Sequence, residues 1–201
     1  MHAHLVSRFL DAPLLAHRHL LVMALAAWVL FSLYWDFLGK KSAATKCAET
    51  RHSRAFHVWL TNAAFLLAAA PLRVLGRFAP VSHAFMITGL SLEWAGLLFA
   101  IWARRHLGSN WSGEISIKVA HQLIESGPYR VLRHPIYTGL LAMYLGTALV
   151  MGEWLALIGV AIAIVAYVHK IRLEEKSLGT AFGSSYEQYR KQRWAVVPGL
   201  F

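Results

Sequence analysis

The residues best suited to chemistry lie at the outer ends of two apolar segments in the C-terminal half. His134 and Tyr137 stand where the first segment begins, and Glu174 follows the second. Only Met151-Gly152 separates the two segments, which predicts a tight helical hairpin. The start of the first segment would then lie beside the end of the second. Glu174 could then bind a cofactor hydroxyl pair or amino group, and Lys170, one helical turn earlier, could hold a substrate anion.

The composition predicts a single-domain integral membrane protein. Of the 201 residues, 57% are hydrophobic, and the mean hydropathy is +0.47, which is too apolar for an ordinary soluble domain. The net charge of +10 does not predict nucleic-acid binding, because the basic residues fall between apolar segments rather than on one polar face. An anionic lipid surface is the expected electrostatic partner. Cys47 is the only cysteine, which excludes an intrachain disulfide.

The apolar segments predict an all-α membrane protein with about five transmembrane helices, a cytoplasmic cofactor-binding segment and an amphipathic C-terminal helix. About 20 apolar residues cross the hydrocarbon core as a helix. Residues 1–103 would form three N-terminal spans, and residues 104–201 would form the catalytic half of the same domain. The predicted spans are His19 to Leu38, Ala55 to Leu75, Ala84 to Ala103, Pro135 to Val150 and Glu153 to His169.

The polar C-terminal segment from Lys170 to Arg193 spaces its apolar residues near a helical period, which predicts a helix lying against the site or the membrane interface. Gly179 and Gly183 are candidate breaks in it. Glu93 interrupts the third span, and the cost of a carboxylate in lipid predicts that it faces the bundle interior, water or a partner.

The charge distribution predicts an orientation. With five crossings, 16 of the 20 Lys and Arg residues lie on one side, so the positive-inside rule places the first loop, the 104–134 segment and the C-terminus in the cytoplasm. The N-terminus would then lie outside. The four residues on the outer side are Arg8, Arg18, Arg73 and Arg77.

The C-terminal half resembles the isoprenylcysteine carboxyl methyltransferase family and the wider group of integral-membrane methyltransferases that includes phospholipid N-methyltransferases. The matching pieces occur in the order and at the spacing typical of that group. They are Leu107 to Ser112, His121 to Ile124, Gly127-Pro128-Tyr129, Arg133 to Gly139, Glu174-Glu175 with Leu178, and Phe182 to Tyr186 followed by Tyr189.

The resemblance implies S-adenosylmethionine as the cofactor, and it implies roles for particular residues. Lys170 stands where eukaryotic members have a substrate-binding arginine, and Glu114 stands where the family has an amide. Both differences leave the acceptor open. The implied catalytic residues are His134, Lys170 and Arg172, and the implied substrate residues are Lys170, Arg172 and Glu114. The implied cofactor-binding residues are His121, Gln122, Leu123, Ile124, Tyr129, His134, Pro135, Ile136, Tyr137 and Glu174.

Methyl transfer to a carboxylate requires no general base, whereas an amine must lose a proton, for example to His134 or Glu174. No metal is expected, because the histidine pairs near the N-terminus lack a compact ligand spacing. Glu175 is expected to be a solvated flanking charge, since adjacent helical residues face different directions.

The sequence therefore predicts an S-adenosylmethionine-dependent methyltransferase that acts on a lipophilic acceptor, with O-methylation of an isoprenylcysteine-like carboxylate as the leading reaction. Phospholipid N-methylation and methylation of a small thiol are alternatives within the same class. An NADPH-dependent reductase of the sterol type, which shares an Arg-His-Pro-x-Tyr-like element, is an alternative of another class. A non-enzymatic membrane scaffold is the third hypothesis. The oligomeric state is left open.

Overall fold

The computed structural model describes residues 17–39, 45–48, 50–72, 74–111, 116–118 and 123–199. Within these ranges the chain forms six α-helices and a ribbon of two short strands. Two 3₁₀ turns, Gly108–Asn110 and Gly127–Arg130, precede β2 and α4 respectively. The elements in chain order are α1 (Arg18–Gly39), β1 (Thr45–Ala48), α2 (Arg51–Ala69), α3 (His83–Leu107), β2 (Ser116–Lys118), α4 (Pro135–Met151), α5 (Trp154–Phe182) and α6 (Ser184–Gln192).

A helix lies at each of the five predicted spans, and three of these helices are long and apolar enough to cross a membrane. The three are α1, α3 and α5. The fourth, α4, is apolar but has 17 residues, which correspond to roughly 25 Å of helix. The apolar helices confirm the prediction of an integral membrane protein with a helical fold.

The strand ribbon is an addition to the predicted all-α fold. β1 pairs with β2 in antiparallel fashion, with Thr45 opposite Lys118 and Ala48 opposite Ser116. Strands of four and three residues are too short to show a period of two in the sequence, so the pattern did not reveal them. The ribbon joins the loop after α1 to the segment between α3 and α4, so both lie at the same end of the bundle.

The C-terminal segment differs from the prediction in where its helix begins. α5 continues without a break from Trp154 through Lys170 and Gly179 to Phe182, so no separate helix starts at Lys170. The chain turns at Gly183, whose φ of 53° is left-handed, and α6 follows. A helix that is already formed extends at little cost through a polar sequence, whereas a left-handed residue ends it.

Close backbone contact between α3 and α4 fixes the position of the helix that carries His134. Glycines face each other at two levels, Gly96 against Gly139 and Gly89 against Gly146. A Cβ at any of the four would lie 2.5–2.7 Å from a backbone oxygen of the facing helix. Glu93 lies fully buried beside Gly146 at the same interface, and it therefore faces the bundle interior, as predicted.

Replacing Gly146 with alanine should destabilise the protein. The added Cβ would lie 2.6 Å from the backbone nitrogen of Glu93 and 2.6 Å from the oxygen of Gly89, and overpacking of this kind costs about 1–3 kcal/mol. Gly179→Ala is the matched control, because a Cβ there meets only the Tyr186 ring at 4.0 Å. Thermal unfolding in detergent micelles measures both. A Gly146→Ala protein as stable as Gly179→Ala would contradict this packing.

Candidate active site

His134 lies at the mouth of the α4–α5 hairpin, immediately before the first residue of α4. Its backbone is not helical (φ −127°, ψ 56°), and Pro135 occupies the first helical position. Proline disfavours the helical conformation in the preceding residue, and its missing N–H costs nothing at this position. The sequence His134-Pro135 therefore starts α4 sharply and leaves the imidazole beside α5.

Two carboxylates of α5 hold the His134 ring from opposite sides. Nδ1 of His134 lies 3.5 Å from Oε2 of Glu174, and Nε2 lies 3.3 Å from Oε1 of Glu175. The His134 side chain is 5% exposed. The predicted meeting of His134 and Glu174 is therefore present, and a second acid that the sequence analysis did not assign to the site joins them.

The two carboxylates favour the charged form of the imidazole. Burial alone lowers the pKa of His134, but hydrogen bonds to Glu174 and Glu175 and the charges of both acids outweigh it, so the pKa rises above its usual value of 6.5. An imidazolium donates from both ring nitrogens, which matches the two acceptors. In this arrangement both ring nitrogens of His134 face a carboxylate, so neither is a free proton acceptor.

Tyr137 completes the surroundings of Glu174 from the first turn of α4. Its hydroxyl donates to Oε1 of Glu174 at 2.5 Å, and its ring stacks on that of His134, with centroids 5.7 Å apart. The ring of Tyr167 also stacks on that of Tyr137, with centroids 5.1 Å apart. The Glu174 side chain is still 21% exposed, so part of this side chain remains open to a ligand.

The structure separates the two basic residues predicted to bind substrate. Lys170 is buried, with 8% of its surface exposed, and its charge acts on Glu174, one helical turn away. Arg172 is exposed, because a residue two positions along a helix points about 200° away. Lys170 therefore belongs to the cluster around Glu174, and the structure does not bring Arg172 into it.

The structure describes five of the remaining predicted cofactor residues, and all five are buried or partly buried. Tyr129 is buried at 5% exposure; burial raises the pKa of its phenol, and the nearby Glu174 charge raises it further. Pro135 and Ile136 are buried in the first turn of α4. Leu123 and Ile124 are partly buried, and Ile124 packs against the core. The predicted residues Glu114, His121 and Gln122 lie outside the described residues.

Arg133 connects the cluster to the C-terminal segment. Its Nε donates to Oε1 of Glu175 at 2.8 Å, and its Nη1 donates to the backbone oxygens of Arg190, at 3.1 Å, and Arg193. Arg190 itself places Nε 3.4 Å from Oε2 of Glu175. Glu175 is therefore shared by three cationic side chains, those of Arg133, His134 and Arg190.

The expectation that Glu175 is a solvated charge is wrong. Its side chain is 14% exposed and contacts His134 and Arg133. Adjacent helical residues do point in directions about 100° apart, but the imidazole of His134 lies between those directions. Each acid therefore reaches a different ring nitrogen.

The backbone after α6 pairs with the loop that carries His134. The N–H groups of Arg133 and His134 donate to the oxygens of Trp194 and Ala195 at 2.8 and 2.9 Å, and that of Trp194 donates to Val131 at 3.1 Å. The Tyr189 hydroxyl of α6 donates to the Tyr129 oxygen at 2.9 Å. This C-terminal tail, residues 193–197, closes one side of the cluster.

Arg104 is a buried cation that the sequence analysis counted only as a loop charge. It is 3% exposed, its Cζ lies 4.0 Å from the ring centroid of Trp111, and its Nη1 donates to Gly108 O at 2.8 Å. Its charge also acts on Tyr129. The one signal in the sequence is an arginine within reach of a tryptophan near a helix end, which is too common to predict a site.

The family profile of phospholipid methyltransferases matches residues 84–185, just over half of the chain. This region runs from α3 to the start of α6 and includes His134, Tyr137, Lys170 and Glu174. The chain therefore belongs to the phospholipid methyltransferase family. The resemblance to integral-membrane methyltransferases that the sequence motifs indicate is confirmed.

Individual relatives match shorter regions. The chain is 34% identical over 79 residues to a protein-S-isoprenylcysteine O-methyltransferase of Schizosaccharomyces pombe, covering 39% of this chain and 34% of that protein. It is 37% identical over 75 residues to methanethiol S-methyltransferase 2 of Bradyrhizobium diazoefficiens, covering 36% and 27%. Among solved structures, it is similar to the eukaryotic intramembrane Ras methyltransferase ICMT (isoprenylcysteine carboxyl methyltransferase), with a TM-score of 0.44 and 21% identity, covering 89% of this chain and 52% of that one. These two matches span about a third or less of the length of the curated relatives concerned.

The raised pKa of His134 makes its contribution to stability depend on pH. A group whose pKa is higher in the folded state stabilises the fold fully below its unfolded pKa, here near 6.5, and loses this effect as the pH rises through the folded value. The difference in free energy of unfolding between wild type and His134→Gln should therefore shrink as the pH rises above about 6.5. Denaturant unfolding in micelles at several pH values measures it. A difference that stays constant or grows with pH would contradict the assignment.

Proposed function

We propose that this chain is an S-adenosylmethionine-dependent methyltransferase that acts at a membrane interface on a lipophilic acceptor. The observation that carries the proposal is the partly exposed Glu174 carboxylate, held by His134 and Tyr137 at the mouth of a helical hairpin. This cluster lies within the region that matches the family profile. The acceptor most consistent with the cluster is an isoprenylcysteine-like carboxylate.

The donor set around Glu174 fits the proposed cofactor. The exposed part of the carboxylate can accept hydrogen bonds from ribose hydroxyls and attract the cationic groups of an amino acid moiety or a sulfonium. Aromatic surface lies beside it on Tyr137 and Tyr129. When bound, S-adenosylmethionine supplies an electrophilic methyl group, whose bond to sulfur breaks as a bond to the acceptor forms. Apolar surface for it would come from Leu123, Ile124, Pro135 and Ile136, with His121 and Gln122 as further residues implied by the resemblance.

The protonation state of the cluster favours an acceptor that is already an anion. Both ring nitrogens of His134 face carboxylates, and Glu174 already accepts from Tyr137. Neither group is poised to take a proton from an alkylammonium. A carboxylate acceptor is ionised at neutral pH and needs no base, so this cluster would act by positioning rather than by acid–base chemistry.

Lys170 gives the acceptor a counter-charge. It is buried beside Glu174, and a buried ammonium stabilises an anion more strongly than an exposed one does. Lysine binds as a point charge rather than as a bidentate fork, so it constrains the orientation of a carboxylate less than an arginine would. Contacts with the lipophilic part of the acceptor would then set its orientation.

Methylation of a small thiol is the second candidate function. It rests on the 37% identity to methanethiol S-methyltransferase 2. A thiol has a pKa near 8.5 and reacts as the thiolate, which a cationic site stabilises as it stabilises a carboxylate. Phospholipid N-methylation has less support from the cluster, because an ammonium acceptor would need a free base. The match to the phospholipid methyltransferase family disfavours the reductase alternative.

We also infer that the protein crosses the membrane five times with the cluster at the cytoplasmic face. Most of the 20 Lys and Arg residues would lie on that side. The ribbon of β1 and β2 brings the two predicted cytoplasmic loops together. At the far end of the hairpin, Gly152 and Trp154 pair with the 76–79 loop. A cofactor from the cytosol and an acceptor from the bilayer would meet at the inner surface.

Removing the Glu174 charge should weaken cofactor binding. Glu174→Gln should lower the affinity for S-adenosylhomocysteine about tenfold or more, because hydrogen bonds to a charged group are worth about 1.5–3 kcal/mol. Calorimetry in detergent measures it. Glu187→Gln is the matched control, because Glu187 is 55% exposed and lies 4.0 Å from Arg190. Folded wild-type protein that binds no S-adenosylhomocysteine at about millimolar concentration would overturn the proposed function.

The methylated product should identify the acceptor class. Purified protein with labelled S-adenosylmethionine and a farnesylated cysteine derivative should give a methyl ester, which releases labelled methanol in base. The same incubation with a native lipid extract tests the other acceptors, because N-methyl and S-methyl products are stable in base. A base-stable product with the extract and none with the farnesylated compound would replace O-methylation with one of the alternatives.

A further inference from the structure

Glu175 occupies a position that the proposed chemistry does not require. It lies behind the His134 ring, on the nitrogen opposite the one that faces Glu174. Three cationic groups surround it: Arg133 at 2.8 Å, His134 at 3.3 Å and Arg190 at 3.4 Å. A carboxylate with three partners and 14% exposure differs from an exposed surface pair, whose contribution is small.

The same network fixes the C-terminal tail. Arg133 donates to Glu175 and, through Nη1, to the backbone oxygens of Arg190 and Arg193. The tail then continues along the loop before α4, where Trp194 and Ala195 accept from the N–H groups of Arg133 and His134. Thr138 donates to the oxygen of Val196 at 2.6 Å. One guanidinium therefore links α5, α6 and the tail.

We propose that Glu175 is a positioning residue: together with Arg133 it fixes the His134 ring against Glu174 and holds the C-terminal tail over the site. Cofactor affinity then depends on an acid that does not touch the cofactor. This inference rests on the proposed function for its affinity readout but not for its structural readouts.

The physical reason is the orientation of the imidazole. With Glu174 as its only partner, the ring could rotate about its bond to Cβ and keep one hydrogen bond. Acceptors on both nitrogens define the plane of the ring and keep both N–H groups engaged. A fixed ring holds the Glu174 carboxylate in one orientation, and the stacked Tyr137 ring, 16° from parallel, supports the same plane.

The groups that face His134 set the expected pH response. Glu174 and Glu175 approach from α5 and Tyr137 from α4. Arg133 and Arg190 act on His134 through Glu175, and Lys170 acts through Glu174. Glu175 is one of the two acids that raise the pKa of His134. Neutralising Glu175 should lower that pKa, so any loss of affinity caused by deprotonation of His134 should begin at lower pH.

Glu175→Gln tests the inference, because glutamine keeps the size of the side chain and removes its charge. We expect roughly a tenfold loss of affinity for S-adenosylhomocysteine at neutral pH, within the range of coupling between residues in contact. The pH midpoint of that affinity and the His134 titration followed by NMR of labelled histidine should both move to lower pH. Hydrogen exchange at the amide of Trp194 should become faster. Glu187→Gln again serves as the control, since it removes an exposed carboxylate of α6 that lies 4.0 Å from Arg190.

The outcomes separate this inference from the proposed function. If wild type binds no S-adenosylhomocysteine, the proposed function fails, and the His134 titration and the Trp194 exchange still decide the role of Glu175. If Glu175→Gln matches Glu187→Gln in affinity, titration and exchange, the inference is overturned. If Glu175→Gln does not fold, Glu175→Asp provides the test instead, because aspartate keeps the charge on a side chain that is one methylene shorter. That variant should lose affinity and speed up Trp194 exchange, and wild-type values for both would also overturn the inference.

Discussion

The arrangement of the site depends on one interaction, the charged imidazole of His134 between the carboxylates of Glu174 and Glu175. Two adjacent acids on one helix repel each other, and a buried cation between them offsets that repulsion. Burial disfavours the imidazolium, but the two acids favour it more strongly. Each of the three groups is stabilised by the others. Their mutual stabilisation places the Glu174 side chain, which is 21% exposed, beside the start of α4.

The packing of the surrounding helices brings these three residues together. Gly96 and Gly139 allow α3 and α4 to approach at backbone contact distance, which fixes the helix that begins beside His134. The short turn at Met151-Gly152 returns α5 to the same end. Arg133 then joins Glu175 to the C-terminal segment. The site therefore depends on contacts between elements distant in sequence, although each element is itself simple.

The same electrostatics limit the chemistry that the cluster supports. A histidine that is already protonated and hydrogen-bonded on both nitrogens is a poor general base. In the proposed function, the buried Lys170 beside Glu174 provides the counter-charge for an anionic acceptor. Methyl transfer to an anion needs alignment of donor and acceptor more than proton transfer. A cluster of fixed charges where apolar helices end suits a reaction between a water-soluble donor and a lipid-like acceptor.

The sequence by itself determined the helical membrane class, the position of five helices and the meeting of His134 with Glu174, because hydrophobic length and a two-residue turn are local properties. It also indicated the family through motifs between Leu107 and Tyr189. It did not reveal the β1–β2 ribbon, the continuation of α5 to Phe182 or the burial of Arg104. The contacts of Glu175 with Arg133, His134 and Arg190 were decided only in three dimensions. Helical periodicity tells which way a side chain points, but the partner it meets there is set by the packing of other elements.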